Sequence, residues 1–504
     1  MLEAQNTKTI KIFGDFQTPE NFSIQVLRRV QKCLPFQPRS ILEPTCGKGS
    51  FLFAATNIFP TADSYTGIEI NKSYLQDLRH SIYEKNIKNH IDIINADFFS
   101  LDWNKVLASL IEPVLITGNP PWVTNSNISA VGGSNLPAKN NFQSRNGLEA
   151  ITGKANFDIS EWMILKYLEW LEQKHGALAI LCKTHVARKI LAYAWKHKKP
   201  IGSASIYKID ALAIFGAAVD ACLFVAVVGS PEEKQECRIY KSIDDELPSQ
   251  HISYKDNMIL ANIDNYTNLS FLKGASMFYT WRSGIKHDCS RVMELTINGD
   301  ILINGIGEEV TIEDDYLYPL LKSSDLGNER IKMCRKRLIV TQRFIGEDTN
   351  SIKMCASLTW KYLQSHVEAL ASRKSSIYRG KPTFSIFGVG EYSFAPWKVA
   401  ISSLYKSLKF FSVGPMDNKP VVFDDTVYFL PCDSEKEARF ICELLNSYTA
   451  RLFLESFIFW NDKRPITIDI LKRLSIENLV KYLNREDEWV VYTDNEHRAL
   501  REVG

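Results

Sequence analysis

Short apolar runs alternate with helical spacing through the first half of this 504-residue chain, and that rhythm restricts the fold more than any other feature. The runs "SILEP" (40–44), "YTGIEI" (65–70), "IDIINA" (91–96) and "VLITG" (114–118) read as buried strands. Between them, "SFLFAATNIF" and "KSYLQDLRHSIYEKN" carry helical spacing. Farther on, the amphipathic "FDISEWMILKYLEWLEQ" runs into the strand "GALAILCK", and "DACLFVAVVG" (220–229) is another apolar strand. Strand–helix alternation predicts an α/β domain with a doubly wound, mostly parallel sheet and helices on both faces. Ligands of such sheets bind outside the carboxyl ends of the strands, so the chemistry is to be sought there.

A chain of this length exceeds one ordinary core. The rhythm changes at "GSPEEKQE", a polar, turn-prone stretch that divides the chain into 1–230 and 231–504, the latter expected to be α+β. Within the first part, 125–156 is rich in Asn, Ser and Gly and too long for an ordinary connection, as lids are. With 60 Lys+Arg against 58 Asp+Glu, global charge selects no partner, and a nucleic-acid surface has to come from local clustering. The amino-terminal stretch has no apolar core of signal-peptide length, and no run of about 18 apolar residues suggests a membrane span. The ten cysteines are scattered without CxxC spacing, which suggests reduced thiols in a cytoplasmic protein, with neither a disulfide framework nor a metal site.

Each strand end carries a group suited to a ligand. After the first, "EPTCGKGSF" opens a helix, and Gly47 and Gly49 permit a tight turn with close backbone approach. Glu69 ends the second strand, where an acid accepts from ribose hydroxyls. Asp97 and Phe98 end the third, a carboxylate for an exocyclic amine beside an aromatic face. Taken singly, each acid is an ordinary solvated strand end; together they indicate a nucleoside-bearing cofactor. The fourth strand ends in Asn119-Pro120-Pro121-Trp122. Neither proline has an N–H, so the turn is rich in acceptors, and the Asn119 side-chain oxygen and Pro120 carbonyl can grip both hydrogens of one amine. An exposed Trp122 would stack the ring that carries that amine.

The order "FQTP", "EPTCGKGSF", "GIEI", "ADF", "GNPPW" resembles the gamma-order S-adenosylmethionine-dependent amino DNA methyltransferases, chiefly adenine-N6 enzymes, over roughly 16–229. The resemblance implies a Rossmann-like class I methyltransferase fold with a C-terminal target-recognition domain. It implies that Thr18, Pro19, Glu43, Thr45, Gly47 and Gly49 hold the methionine part of S-adenosylmethionine, Glu69 the ribose, and Asp97 and Phe98 the adenine. Asn119, Pro120, Pro121 and Trp122 would bind the target base. Phe215 fits the aromatic that such enzymes place across a flipped base, and fits plain core as well. Trp122 departs from the commoner Tyr or Phe.

Reaching a base inside a duplex requires flipping it out and holding the surrounding DNA. The second half offers Arg335, Lys336, Arg337 and Arg343 in one basic cluster, and Arg373, Lys374, Arg379 and Lys381 in another. Taken alone, either cluster reads first as a solvated face. His287, with no nucleophile or metal set beside it, is expected on the surface or at DNA. The expected activity is site-specific methylation of the N6 amine of adenine in double-stranded DNA, in a bacterial, nucleoid-associated enzyme. It would be the modification partner of a separate restriction endonuclease, since no nuclease constellation is evident. Cytosine-N4, RNA and protein-glutamine methylation are the rival readings.

Overall fold

The computed structural model describes residues 16–123, 158–229 and 235–493, so the stretch 125–156 lies outside the described residues. The chain divides into two compact units, Met1–Ala261 and Asn262–Gly504.

The first unit is built on one ten-stranded sheet ordered β10-β9-β8-β6-β7-β5-β4-β1-β2-β3. In chain order its elements are α1 (Glu20–Cys33), β1 (Ser40–Glu43), α2 (Ser50–Ile58), β2 (Ser64–Glu69), α3 (Lys72–Glu84), β3 (Ile91–Asn95), α4 (Trp103–Ser109) and β4 (Val114–Gly118). There follow α5 (Ile159–Leu171), β5 (Gly176–Lys183), α6 (Thr184–Lys196), β6 (Ile201–Ile209), α7 (Ala211–Phe215), β7 (Ala221–Val228), β8 (Glu236–Tyr240), β9 (Gln250–Lys255) and β10 (Met258–Leu260). Strands β3, β2, β1, β4 and β5 pair in parallel. The residues of β1 and β4 are buried throughout, the pattern of strands covered on both faces. On one face Leu115, Ala177, Ala179, Leu181, Leu223 and Val225 meet Val26, Leu27, Val30, Phe51, Leu52, Leu75 and Leu78 from α1, α2 and α3 in a single core.

Strand β7 runs antiparallel between β5 and β6. The connection from β6 holds only the five-residue α7, too little chain for a crossover to a parallel neighbour. The sheet also runs past the expected boundary: β8 pairs with β6 and carries β9 and β10 outward. The first unit therefore ends at Ala261 rather than near residue 230.

The second unit is α+β. One sheet is ordered β11 (Arg282–Ser283), β19 (Val427–Cys432), β16 (Trp397–Ser402), β17 (Phe411–Val413). The other is ordered β13 (Ile301–Ile303), β12 (Glu294–Asn298), β15 (Lys336–Ile339), β14 (Leu317–Leu321), β18 (Val422–Phe423). Within β16, Lys398 is 1% exposed, and its Nζ donates to the Ala395 carbonyl at 2.6 Å. Burial pulls its ammonium down from 10.5 to about 7. The folded state thus resists a proton that the unfolded chain accepts, so stability rises with pH between about 7 and 10.5. Lys398→Met is expected to raise stability at neutral pH by about 1–4 kcal/mol and to flatten that pH dependence, read by calorimetric melting.

Candidate active site

The turn between β1 and α2 is drawn tight by backbone groups. Gly49 N donates to the Cys46 carbonyl at 2.7 Å, and Cys46 N donates to the Ile68 carbonyl of β2 at 2.8 Å. Gly47 and Gly49 have φ of +52° and +82°, a region that L side chains adopt at a cost. A Cβ on Gly47 would lie 2.8 Å from Gln17 Oε1. Gln17 thus lies over the turn and accepts from Lys48 N at 3.3 Å. Glu69 closes the turn from the neighbouring strand: its carboxylate accepts from Gly47 N at 2.9 Å and from Asn71 N at 2.7 Å.

Glu43, at the end of β1, is 2% exposed, and its Oε2 is buried with no hydrogen-bond partner among the described residues. Burial, and secondarily the charge of Glu69, push its carboxyl well above the usual range. It packs against the end of β4, because a Cβ on Gly118 would come within 3.2 Å of Glu43 Cγ. Asp97 caps the turn after β3 through Phe99 N at 3.0 Å. Phe98 is 7% exposed and lies in an aromatic cluster, 4.9 Å from Trp103, 5.9 Å from Trp170 and 6.0 Å from Trp162 and Tyr167. Most of its ring is therefore covered by this chain's own residues. Thr45 is half-buried, and exposed Pro19 precedes α1 and accepts from Phe22 N and Ser23 N.

At the end of β4 the Asn119 amide has one orientation. Its Nδ2 donates to the Phe16 carbonyl at 3.0 Å and to Thr18 Oγ1 at 3.3 Å. A backbone carbonyl can only accept, so the NH₂ end must face it. The Oδ1 end is left buried and, among the described residues, without a partner. The "FQTP" segment therefore aims the Asn119 oxygen, a role for Thr18 that its place in the motif did not reveal. No described residue donates to the Pro120 carbonyl through its backbone.

The expected exposure of Trp122 is corrected: it is 5% exposed, and its Nε1 donates to the Leu181 carbonyl of β5 at 3.2 Å. Phe215 meets it edge to face at 5.3 Å, and Phe16 lies 5.8 Å from it. Phe215 is thus brought to the NPPW turn, half-buried, at the end of α7. Two residues outside the motifs hold the turn. Lys183 Nζ donates to the Trp122 carbonyl at 3.2 Å and to Asp158 Oδ2 at 2.6 Å, and Ile159 N donates to the Val123 carbonyl. Neither has a signal in sequence, because both contacts are made across the fold.

A family model described as N-6 DNA methylase matches residues 1–188. The Type II methyltransferase M.NspV of Nostoc sp. (strain ATCC 29411 / PCC 7524) is 44% identical over 483 residues, covering 94% of this chain and 98% of that protein. The chain belongs to the N-6 DNA methylase family. The Modification methylase CviBIII of Paramecium bursaria Chlorella virus NC1A is 34% identical to this methylase over 103 residues, 19% of this chain and 24% of that protein. Among solved structures, the Type IIL restriction-modification enzyme MmeI in complex with DNA superposes with a TM-score of 0.56 at 15% identity. It covers 91% of the methylase, which spans 64% of the MmeI chain, and the likeness is one of fold.

In the methylase's second unit the basic residues separate into two kinds. Arg335 pairs with Asp325 at 2.7 Å, Lys336 with Glu294 at 2.7 Å, and Arg337 with Asp417. Arg373 donates to the carbonyls of Leu370, His287, Ser385 and Thr383 and stacks on Tyr378, with its guanidinium 3.7 Å from the ring centroid. These four hold the unit together. Arg343, Lys374, Arg379 and Lys381 are exposed, and among the described residues their side chains have no ion pair. His287 is corrected from the surface to the interior: it is 6% exposed, 3.4 Å from Glu294, whose carboxylate also receives Lys322 at 2.6 Å.

Proposed function

We propose that this N-6 DNA methylase transfers methyl groups from S-adenosylmethionine to adenine N6 at a specific site in double-stranded DNA, after the target base has been flipped out of the helix. The observation that carries this reading is the orphaned, pre-aimed Oδ1 of Asn119 at the end of β4. The cofactor fits the residues present. Glu43 Oε2, buried and unsatisfied, suits the ammonium of the methionine part. Glu69, whose carboxylate borders the Gly47 turn, would accept from ribose hydroxyls, and Asp97, after β3, from an exocyclic amine. The transferred methyl comes from S-adenosylmethionine, whose sulfonium is also the leaving group.

The chain's own part is alignment. Asn119 Oδ1 and the Pro120 carbonyl accept the two N6 hydrogens, which turns the amine lone pair toward the incoming methyl and favours a pyramidal nitrogen. Half-buried Phe215 would meet the base at the turn, and buried Trp122, packed edge to face on Phe215, supports it. Burial at the strand ends excludes water from the transfer. Holding both reactants in line supplies most of what such a displacement needs from a protein. The role in a restriction-modification system follows the Type II relative, and a separate cognate endonuclease belongs to the same proposal. Incubation with methyl-labelled S-adenosylmethionine and equal masses of duplex DNA, RNA and protein tests the substrate class. Label is expected in duplex DNA; label confined to RNA or protein overturns the reading.

A further inference from the structure

The segment after β15 carries an unusual surface. Thr341 Oγ1 donates to the Phe384 carbonyl at 2.7 Å. Gln342, 2% exposed, accepts from Ile386 N at 2.8 Å and donates from Nε2 to the Glu347 carbonyl at 2.5 Å. Glu347 closes the loop by accepting from Arg343 N through its carboxylate, and its own N–H donates to the Phe344 carbonyl at 3.3 Å. Gly346 turns the chain at φ +89°. The loop 342–347 is thus stapled at its base, yet its tip presents Phe344 and Ile345, which are 58% and 52% exposed. Beside them, the Arg343 guanidinium lies 4.3 Å over the Phe394 ring.

The same backbone segment that receives the loop also receives Arg373, which donates to the carbonyls of Ser385 at 2.7 Å and Thr383 at 3.1 Å. The loop and the stretch bearing exposed Lys374, Arg379 and Lys381 are therefore anchored to one piece of chain, 383–386. This half-exposed apolar pair sits on a loop whose base is already hydrogen-bonded to its own chain, which limits the ordering cost of binding. Arg343, next to the pair, and exposed Lys374, Arg379 and Lys381, on the stretch anchored to the same segment, suit a polyanion.

We propose that loop 342–347 is a DNA probe, with Phe344 and Ile345 pressed into the base stack of the substrate duplex and Arg343 on its phosphates. Apolar wedges of this kind, flanked by cations, match the chemistry of a duplex that has to be opened. The proposal rests on the DNA-methyltransferase reading above. Its test compares Phe344→Ser/Ile345→Ser with Arg343→Ala in the full chain, using genomic DNA from an unmodified host as substrate. The double variant is expected to lose about 10-fold or more in duplex affinity and methyl transfer, with an unchanged salt dependence. Arg343→Ala is expected to reduce the slope of log affinity against log salt by about one. Cofactor affinity, measured by calorimetry, and melting temperature stay at the wild-type values in both. Wild-type affinity and transfer in the double variant overturn the proposal, as does a change confined to self-association in sedimentation. A wild-type protein that labels no DNA sinks the underlying reading instead.

Discussion

Replacing Asn119 with Ala is expected to lower methyl transfer by about 10²–10³-fold while the protein still folds and binds its cofactor. That range is the usual cost of removing one pre-aimed polar group from a reacting centre. The loss falls on turnover, because the amide acts on the amine during transfer and has little to do with holding the cofactor. Asn119→Asp is informative in another way. A carboxylate has no hydrogen to give the Phe16 carbonyl, 3.0 Å from the present Nδ2, so two acceptors would face one another. That variant is expected to be as inactive as Asn119→Ala. Thr18→Val removes only the weaker 3.3 Å contact and leaves Phe16 to orient the amide, so a smaller loss of turnover is expected. Single-turnover kinetics with labelled cofactor check the series; near-wild-type transfer in Asn119→Ala contradicts the proposed grip.

The second large effect belongs to Glu69. Its carboxylate fixes the Gly47 turn at 2.9 Å and the start of α3 through Asn71 N at 2.7 Å. Glu69→Ala would therefore leave two backbone N–H groups to find other partners, and would also remove the ribose acceptor. Hydrogen bonds to a charged group contribute about 1.5–3 kcal/mol, so cofactor affinity is expected to fall about 10–100-fold. Titration calorimetry reads this directly. Glu69→Gln keeps one acceptor oxygen for Gly47 N and is expected to fall between the two. Unchanged affinity in Glu69→Ala would remove this residue from the site.

Features set by local pattern were legible in the sequence, and those set by distant partners were not. Strands β1, β2 and β4 stand out as apolar runs because both of their faces are covered, whereas β3, expected to be buried, ends the sheet and is only partly covered. Strand β6, "IGSASIYKI", interleaves small and polar residues and carries no such run. Strands β8 to β10 lack a sequence signal for a related reason: half-exposed strands such as "ECRIY" resemble polar connecting chain. The site residues gathered at the strand ends because the strand order places them there. The burial of Trp122 depends on the Leu181 carbonyl, supplied by a strand about sixty residues later. Arg373 shows the same limit. Its charge is plain in the sequence, but of the four carbonyls that it satisfies only that of Leu370 is local; the others belong to His287 and to Thr383 and Ser385. Charge alone does not reveal that Arg335, Lys336, Arg337 and Arg373 have acidic and carbonyl partners, because those partners come together only when the chain folds.

The most direct test of the account is the chemical identity of the methylated base. Genomic DNA from an unmodified host, treated with the wild-type protein and labelled S-adenosylmethionine, is digested to nucleosides and separated. The account expects all label in N6-methyladenine, and essentially none in a parallel reaction with Asn119→Ala. Label in N4-methylcytosine, or equal labelling by the Asn119→Ala variant, would contradict it.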